Sequence, residues 1–483
     1  MQPKMNFING KWVTSKSGRT YEHRNPANLQ QVTGIWQYSS AEDVQEAIDA
    51  AQNAFNSWRS LTVYQRAEYL KKAIELTKER VNSIADVITT ENGKTIAESK
   101  SEIISAIKEM EFQINQGLRT GGQVMPCTQS GVLAYSIRCP LGPVAVIAPW
   151  NFPFNVLGRK CLPALVTGNT CVLKPANLTP GVGEEFVKLF NDVGLPPGVL
   201  NFVTGSGREA GNELVVNPKI RAVSFTGSTE IGMNIQKCSA PSMKRTQLEM
   251  GGKNPLIVLA DADLEKAADS VALAAYACAG QWCTSTSRAI VEKSVMDDFL
   301  DILIARIKKI IVGPGTDPNI TMGPVCGENQ LNGILTGIAK GKAEGAMIVS
   351  GGHRLMTDSL QIGCFVEPTV FSNVTPEMFL AQEEIFGPVL SVMTAEDFEH
   401  TIQLANNVRF GLSSSIYTND LHKAMTFVSK TNVGLTHVNM PTAVKEPQLS
   451  FGGVKTSGFG IPEAGKTGIE FFTEHKVVYI NYQ

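Results

Sequence analysis

The stretch GPVAVIAPWNFPFNVLGRKCLPALVTGNTCVLKP, residues 142–175, decides the fold. It holds a short apolar run (Val144–Ala148), a helical candidate (Val156–Val166) and a second apolar run (Thr170–Leu173). Short strands that alternate with helices predict a parallel sheet with right-handed crossovers. The sequence therefore predicts a doubly wound α/β fold of the nucleotide-binding kind.

The same alternation continues toward the C-terminus. In the first series the next predicted elements are Pro180–Val193, Val199–Val203, Arg208–Val216, Ala222–Phe225 and a helix over Thr229–Gln236. A second series runs from about Asn254 to Val438. Its predicted strands are Pro255–Leu259, Ala289–Val291, Met347–Val349 and Val389–Met393, and its predicted helices are Leu264–Ala279, Val295–Ile311, Leu331–Ala343 and Ala395–Asn406. We therefore expect two doubly wound α/β domains.

Segments outside these two series carry other patterns. Apolar residues at three- and four-residue spacing predict helices over Ala41–Trp58 and Gln65–Thr89, and Ser40 is a candidate N-cap. Residues 119–140 contain Gly121, Gly122, Pro126 and Gly131 and then alternate, which predicts a hairpin or arm rather than core. Alternation over Lys476–Tyr482 predicts a terminal edge strand.

Composition limits the class of protein. The chain has 483 residues, 43% hydrophobic and 18% charged, which predicts packed cores. A formal net charge of -2 indicates neither nucleic acid nor a membrane surface as the main partner. The N-terminus has no apolar region typical of a secretory signal, and no segment is apolar enough to span a bilayer. Nine cysteines without a CxxC motif predict reduced thiols and a cytoplasmic location.

The loop Pro149-Trp150-Asn151-Phe152-Pro153 follows the first predicted strand of the alternating region. Ligands of open α/β sheets bind beyond the carboxyl ends of the strands. The side-chain amide of Asn151 is therefore a candidate donor to a developing oxyanion. The alternative is a turn stiffened by prolines, in which Asn151 caps its own backbone.

Two further strand ends carry candidates for binding a nucleotide. Lys174 ends the second strand and could reach a ribose hydroxyl or a phosphate, the alternative being a solvated lysine. Gly227 and Ser228 join the fourth strand to a helix, where free N–H groups suit a phosphate. Gly205-Ser206-Gly207 misses the GxGxxG spacing, and no P-loop motif is present.

Glu249 and Cys283 are the candidates for covalent chemistry. Glu249 stands near Gly251 and Gly252, and we expect an accessible carboxylate that could act as a general base, the alternative being an exposed surface acid. Cys283 follows the helix-ending Gly280, so a loop presents its thiol as a nucleophile. The alternative is an inert small hydrophobic residue, which is what we expect of Cys278 inside the predicted helix. Histidines are scattered and no HExxH, Cys/His cluster or GxSxG motif occurs, which argues against a metal site and against an α/β-hydrolase.

Together these motifs resemble the NAD(P)-dependent aldehyde dehydrogenase superfamily over nearly the whole chain. The motifs that carry the resemblance are PWNFP (149–153), LEMGGKNP (248–255), GQWC (280–283), EEIFGPV (383–389) and FGGVKTSG (451–458). The resemblance implies that Cys283 attacks the aldehyde, that Asn151 holds the oxyanion and that Glu249 activates the hydrolytic water. The cofactor residues that it implies are Trp150, Lys174, Gly227, Ser228, Glu384 and Phe386.

The resemblance also bears on cofactor and substrate. Family members strict for NAD usually carry glutamate three residues after the Lys174 position, where this chain has Asn177. We therefore predict that it accepts NADP as well as NAD. Asn155 and Arg159 resemble the substrate residues of 2-oxoglutarate and succinate semialdehyde dehydrogenases, where an arginine could pair with a distal carboxylate. Lys445 could add charge to the pocket mouth or be merely solvated.

Other readings remain open at this point. Some dehydrogenases of aromatic aldehydes also carry arginine at the Arg159 position, and broad aliphatic specificity is a further alternative. A CoA-acylating enzyme typically lacks the base at Glu249, and a non-catalytic relative should have lost Cys283, Glu249 or Asn151. The resemblance implies a homodimer or homotetramer. We assign residues 1–118 and 141–250 to an NAD(P)-binding domain, 251–440 to a catalytic domain, and 119–140 and 466–483 to a small β oligomerisation arm.

Overall fold

The computed structural model describes residues 1–483, apart from the side chain of Asp358. The strands are β1 (Asn6–Ile8), β2 (Lys11–Val13), β3 (Thr20–Asn25), β4 (Asn28–Gln37), β5 (Val124–Met125), β6 (Val132–Pro140), β7 (Pro143–Ile147), β8 (Thr170–Lys174), β9 (Leu200–Phe202), β10 (Ala222–Thr226), β11 (Arg245–Glu249), β12 (Asn254–Val258), β13 (Thr286–Glu292), β14 (Met347–Ser350), β15 (Thr369–Ser372), β16 (Val389–Ala395), β17 (Phe410–Gly411), β18 (Ser413–Tyr417), β19 (Leu435–Val438), β20 (Ser450–Phe451), β21 (Val454–Lys455), β22 (Gly458–Phe459), β23 (Glu463–Ala464) and β24 (Thr473–Asn481).

Helices lie between these strands. They are α1 (Ala41–Ser60), α2 (Val63–Glu79), α3 (Val81–Asn92), α4 (Ile96–Leu118), α5 (Asn155–Val166), α6 (Pro180–Asp192), α7 (Asn212–Val216), α8 (Thr229–Ser239), α9 (Leu264–Tyr276), α10 (Met296–Ile307), α11 (Glu328–Ala343), α12 (Phe379–Gln382), α13 (Phe398–Asn406), α14 (Leu421–Lys430) and α15 (Gly465–Phe471). Of the helices in the described residues, none combines the length and the apolar character needed to cross a bilayer.

Two large sheets confirm the predicted α/β class. The first has the order β2-β1-β9-β8-β7-β10-β11-β22, and its central strands β9, β8, β7, β10 and β11 are parallel. The second has the order β14-β15-β16-β13-β12-β18-β19 and is parallel except at its β14 edge. Buried apolar runs such as Pro143–Val146 on β7 are typical of strands covered on both faces.

The chain passes from one sheet to the other between β11 and β12. β11 ends at Glu249 in the first sheet and β12 begins at Asn254 in the second, so the glycines between them lie at the junction. β22 then returns to the first sheet, antiparallel to β11. The carboxyl ends of the first sheet's parallel strands therefore border the same region as the amino ends of β12 and β13 in the second sheet. A ligand is expected to bind beyond the carboxyl ends of the first sheet.

A three-stranded sheet lies apart from both. β24 pairs with β6 in antiparallel register from Thr473↔Pro140 to Asn481↔Val132, and β5 pairs with the other edge of β6. Val124, Met125 and Tyr479 are exposed on it. The predicted arm and terminal strand are therefore present as β structure. The assignment of this arm to oligomerisation stays a prediction, and so do the bounds and functions assigned to the two α/β domains.

Several predicted helices were wrong in extent. The predicted Gln65–Thr89 helix is two helices, because Arg80 leaves helical geometry (φ -101, ψ 13) where it pairs with Asp192 at 2.7 Å. The predicted Leu264–Ala279 helix ends at Tyr276, and the predicted Arg208–Val216 helix opens with a π turn over Gly207–Gly211. Periodicity does not register such breaks, because the apolar spacing continues across them.

Candidate active site

A cavity of about 440 Å³ opens where the two sheets meet. Cys283, Asn151 and Glu249 line it, and so do Arg159 and Asn155. The structure therefore brings the three predicted catalytic side chains and the two predicted substrate side chains to one cavity, although up to 132 positions of sequence separate the catalytic three.

The loop that carries Cys283 follows an unusual turn. After α9, Cys278 and Ala279 adopt left-handed backbone (φ 48 and φ 55) and Gly280 follows at φ 69. L-residues rarely hold that conformation, so tertiary contacts must fix it. Glu98 supplies one, since its Oε1 accepts the Cys278 N–H at 2.6 Å. Cys278 was expected inside the helix and instead forms part of this turn, where it is buried.

Cys283 itself is half-buried at the cavity wall. The pKa of its thiol is raised to about 12, mainly by desolvation. Glu384 and Glu249 also raise this pKa, whereas Arg159 and Lys445 lower it. The thiol is therefore the dominant form near neutral pH in the free protein. Formation of the nucleophilic thiolate depends on the cations that face the same cavity.

Asn151 is oriented by contacts from outside its loop. Its Nδ2 donates to the Gln281 main-chain oxygen at 3.0 Å, not to its own backbone, and the second N–H of the amide remains free for a ligand. Lys94 Nζ donates to the main-chain oxygen of Asn151 at 2.7 Å and to the Glu102 carboxylate at 2.7 Å. Glu102 in turn accepts the N–H of Asn155 at 3.0 Å. This hydrogen bonding fixes the loop from beneath.

Lys94 and Glu102 were missed by sequence reasoning. Each belongs to a polar stretch at a helix start, Lys94 after Gly93 and Glu102 on α4, where charged residues are normally solvated. Both are buried here as an ion pair. No local pattern marks such a pair, because its partners come from different segments of the chain.

Glu249 ends β11 and is only 4% exposed. The expectation of an accessible carboxylate was wrong, because β11 lies between β10 and β22 and Gly452 packs directly against the carboxyl group. Burial raises the pKa of Glu249, and the neighbouring Glu463 raises it further. Its Oε2 has no hydrogen-bond partner within the described residues and borders the cavity, so a water molecule could be bound there.

The predicted nicotinamide residues lie beside the Cys283 loop. Glu384 Oε1 accepts the Gly252 N–H at 2.9 Å, and burial raises the pKa of Glu384 to about 7. A Cβ at Gly251 would overlap the Glu384 carboxylate, so glycine is required for this approach. Phe386 meets the Trp150 ring edge to face at 5.4 Å between centroids. A carboxylate acceptor beside two aromatic rings fits a ribose attached to a flat heterocycle.

The predicted adenosine-side residues lie at the ends of β8 and β10. Lys174 is 4% exposed and burial lowers its pKa to about 8, so the reading of a solvated lysine was wrong. Its Nζ donates only to the Pro175 oxygen among the described residues, which leaves two N–H groups for a ligand. Ser228 caps α8, and Asn177 carries a buried Oδ1 without a partner in the described chain. These free polar groups fit the hydroxyls and phosphates of a dinucleotide.

The far side of the cavity holds an ion cluster. Arg159 donates through Nε and Nη2 to the two oxygens of Glu109 at 2.8 and 3.0 Å, and through Nη2 to Asn155 Oδ1 at 3.0 Å. Lys445 Nζ donates to Glu109 and to Asn155 Oδ1 at 3.1 Å. Burial opposes ionisation of Glu109, but both cations outweigh it and lower its pKa to about 2. Glu109 is therefore ionised at neutral pH, whereas burial and the neighbouring Arg159 lower the pKa of Lys445 and Glu109 opposes that shift.

Comparisons with known proteins agree with this geometry. A sequence model described as the aldehyde dehydrogenase family matches residues 12–478. The chain is 42% identical to an alpha-ketoglutaric semialdehyde dehydrogenase of Bacillus subtilis over 99% of this chain and 98% of the relative, and 40% identical to an alpha-ketoglutarate semialdehyde dehydrogenase of Haloferax volcanii over 99% of each. A betaine aldehyde dehydrogenase of Staphylococcus aureus, solved in complex with NAD+, superimposes with a TM-score of 0.97 at 35% identity, covering 99% of this chain and 95% of that one.

Proposed function

This chain belongs to the aldehyde dehydrogenase family and is an NAD(P)-dependent enzyme, and from that premise we propose that it oxidises a carboxylate-tailed semialdehyde of the 2-oxoglutarate semialdehyde class to the acid. The observation that carries the proposal is the cluster of Arg159, Lys445 and Asn155 in the same cavity as Cys283. Cations and amide donors there suit an anionic tail. The names of the relatives from Bacillus subtilis and Haloferax volcanii support the same class.

The first step proposed is capture of the aldehyde by Cys283. The sulfur forms a bond to the carbonyl carbon, and the carbonyl oxygen becomes an oxyanion. The free N–H of Asn151 donates to that oxyanion, and the contact with Gln281 holds the amide in place. The main-chain oxygen of Cys283 accepts from Asn254 Nδ2 at 2.8 Å, which fixes the position of the nucleophile's backbone.

The cofactor residues proposed are those brought together around the junction of the sheets. Glu384 would hold the nicotinamide ribose, with Phe386 and Trp150 beside the ring, and Lys174 and Ser228 would contact the adenosine side. When bound, NAD(P)+ accepts the hydride that leaves the captured carbon, so that the sulfur is left as a thioester. A Cβ at Gly227 would overlap the Phe225 ring, so the turn before α8 requires glycine, and the N–H groups at the start of α8 would bind a phosphate.

Glu249 is proposed to release the product. Its carboxylate would take a proton from a water molecule, whose oxygen attacks the thioester and frees the thiol of Cys283. The unpartnered Oε2 at the cavity supports a water site there. Because Glu249 is present, hydrolysis is favoured over transfer of the acyl group to CoA.

The arm supports a homodimer or homotetramer. β24 and β6 expose Leu133, Ile137, Val477 and Tyr479, an apolar surface that a second copy of the chain would cover. Light scattering after gel filtration tests this proposal, and a monomer at micromolar concentration would contradict it. A chain truncated after Phe472 lacks β24, so it should form an oligomer with fewer subunits than the full-length chain.

An aldehyde panel tests the function. We expect turnover of 2-oxoglutarate semialdehyde and succinate semialdehyde with NAD or NADP at a kcat/KM about ten- to a hundredfold above those of pentanal and benzaldehyde. A preference for benzaldehyde or pentanal would instead support the aromatic or broad aliphatic alternative. Addition of CoA should yield free acid and no acyl-CoA, and Cys283→Ala is the inactive control.

A further inference from the structure

Arg159 has its charge already engaged. One edge of the guanidinium, formed by Nε and Nη2, binds the Glu109 carboxylate, and Nη1 lies 3.7 Å from Glu463 Oε2. Its face stacks on Phe451, with the central carbon 4.7 Å from the ring centroid. A substrate carboxylate that sought the same bidentate fork would have to displace Glu109, which the fold holds on α4.

Lys445 is different. Its ammonium donates to Glu109 and to Asn155 Oδ1, which leaves one N–H without a partner among the described residues. The side chain is 28% exposed, whereas that of Arg159 is 6% exposed, so Lys445 meets an entering ligand first. It lines the cavity together with Cys283.

Asn155 provides a second free donor at the same point. Its Oδ1 accepts from both Arg159 and Lys445, which orients the amide, and its Nδ2 is buried with no partner in the described residues. An amide N–H in that state needs an acceptor, because a buried polar group without one costs free energy. A carboxylate or a 2-oxo oxygen supplies it.

Charge in this network also points to an anion. Arg159, Lys160 and Lys445 face Glu109 and Glu463, and Glu249 lines the same cavity. Burial and Glu463 raise the pKa of Glu249, and while Glu249 is protonated the cations of this network outnumber its carboxylates by one. Two further glutamates that line the cavity have partners outside this network. Glu102 is paired with Lys94, and Glu98 accepts hydrogen bonds from Thr95 and Cys278.

We propose that Lys445, together with the Nδ2 of Asn155, binds the distal carboxylate of the substrate. Glu109 occupies the Nε/Nη2 edge of Arg159, so that edge does not bind the substrate. This inference rests on the proposed function, since it names the residue that would recognise the semialdehyde's tail. Lys445 is then the specificity-determining residue of the cavity, and Arg159 is a fixed part of its wall.

The test compares two substrates of the same shape. Succinate semialdehyde carries the carboxylate, and in 4-methylpentanal an isopropyl group replaces it. For Lys445→Met we expect the ratio of their kcat/KM values to fall about ten- to a hundredfold, mainly through KM for the semialdehyde, because one charged contact is lost. Lys445→Arg should keep the ratio within about threefold, and the matched control is Lys293→Met, which removes a surface lysine paired with Glu396.

A double variant tests the part assigned to Glu109. In Lys445→Met with Glu109→Gln the fork of Arg159 is released, so we expect the ratio to recover at least tenfold over Lys445→Met alone. No recovery, or an unchanged ratio in Lys445→Met, would overturn the inference while leaving the proposed function standing. If the wild-type protein does not favour succinate semialdehyde over 4-methylpentanal, the proposed function fails and this inference fails with it.

Discussion

The ammonium group of Lys94 donates to the main-chain oxygen of Asn151 at 2.7 Å. Lys94 is only 1% exposed and also pairs with Glu102, whose other oxygen accepts the N–H groups of Phe154 and Asn155. A buried charge pair thus joins the start of α4 to both sides of the loop that carries Asn151. The position of the Asn151 amide matters, because a donor stabilises an oxyanion only when the two are within hydrogen-bonding distance.

Lys94→Met should therefore lower kcat about a hundredfold, since a shift of roughly 1 Å at a reacting group has that effect. It should also destabilise the protein by about 3–5 kcal/mol, because Glu102 would be left buried without a counter-charge. Lys94→Met with Glu102→Leu removes both charges, and we expect it to recover thermal stability but not kcat. If kcat recovered together with the melting temperature, the pair would serve stability alone.

Alkylation of Cys283 should depend steeply on pH. Because desolvation raises its pKa to about 12, the thiolate fraction increases about tenfold for each pH unit over the range 7–9.5, and so should the rate with iodoacetamide. Peptide mass spectrometry would follow Cys283 and, in the same sample, the partly exposed Cys238 as an internal reference. A plateau near pH 8.5 for Cys283 would contradict the raised pKa in the free protein.

Glu249→Gln should uncouple capture from hydrolysis. We expect a burst of reduced cofactor of about one equivalent per active site, followed by a steady state slower by about 10²–10⁴-fold, because the thioester accumulates. In wild type, hydrolysis should speed up as pH rises through the raised pKa of Glu249, since only the carboxylate form is a base. The variant should lose that dependence. Glu396→Gln, at an exposed acid, is the control, and a variant without a burst would remove Glu249 from this role.

Asn177→Glu should change the cofactor preference. A carboxylate at this position would repel a 2′-phosphate, so kcat/KM for NADP should fall at least about tenfold while that for NAD changes little. Asn177→Gln keeps the amide and should retain use of NADP. Steady-state kinetics with both cofactors provide the measurement, and a wild-type preference for NAD of several hundredfold would refute the underlying prediction.

Much of the fold could be read from local pattern. The α/β class, β7, β8 and the arm follow from alternation and apolar runs, and β7 and β8 agree with the structure within one residue. The terminal strand begins at Thr473, three residues before its predicted start. The breaks in the helices at Arg80 and after Tyr276 could not be predicted, because the apolar spacing continues across them. β18 and β19 were missed altogether, since their short runs carry no distinct period.

By itself, the sequence determined the family, the α/β class and the side chains that could carry the chemistry, because these depend on motifs whose residues are adjacent along the chain. Tertiary structure alone decided that Glu249 is buried, that Lys94 holds Asn151 and that Glu109 contacts both Arg159 and Lys445. Glu109 lies 50 positions from Arg159 and 336 from Lys445. Burial and charge pairing depend on which segments the fold brings together, and a local pattern does not encode contacts between segments so far apart.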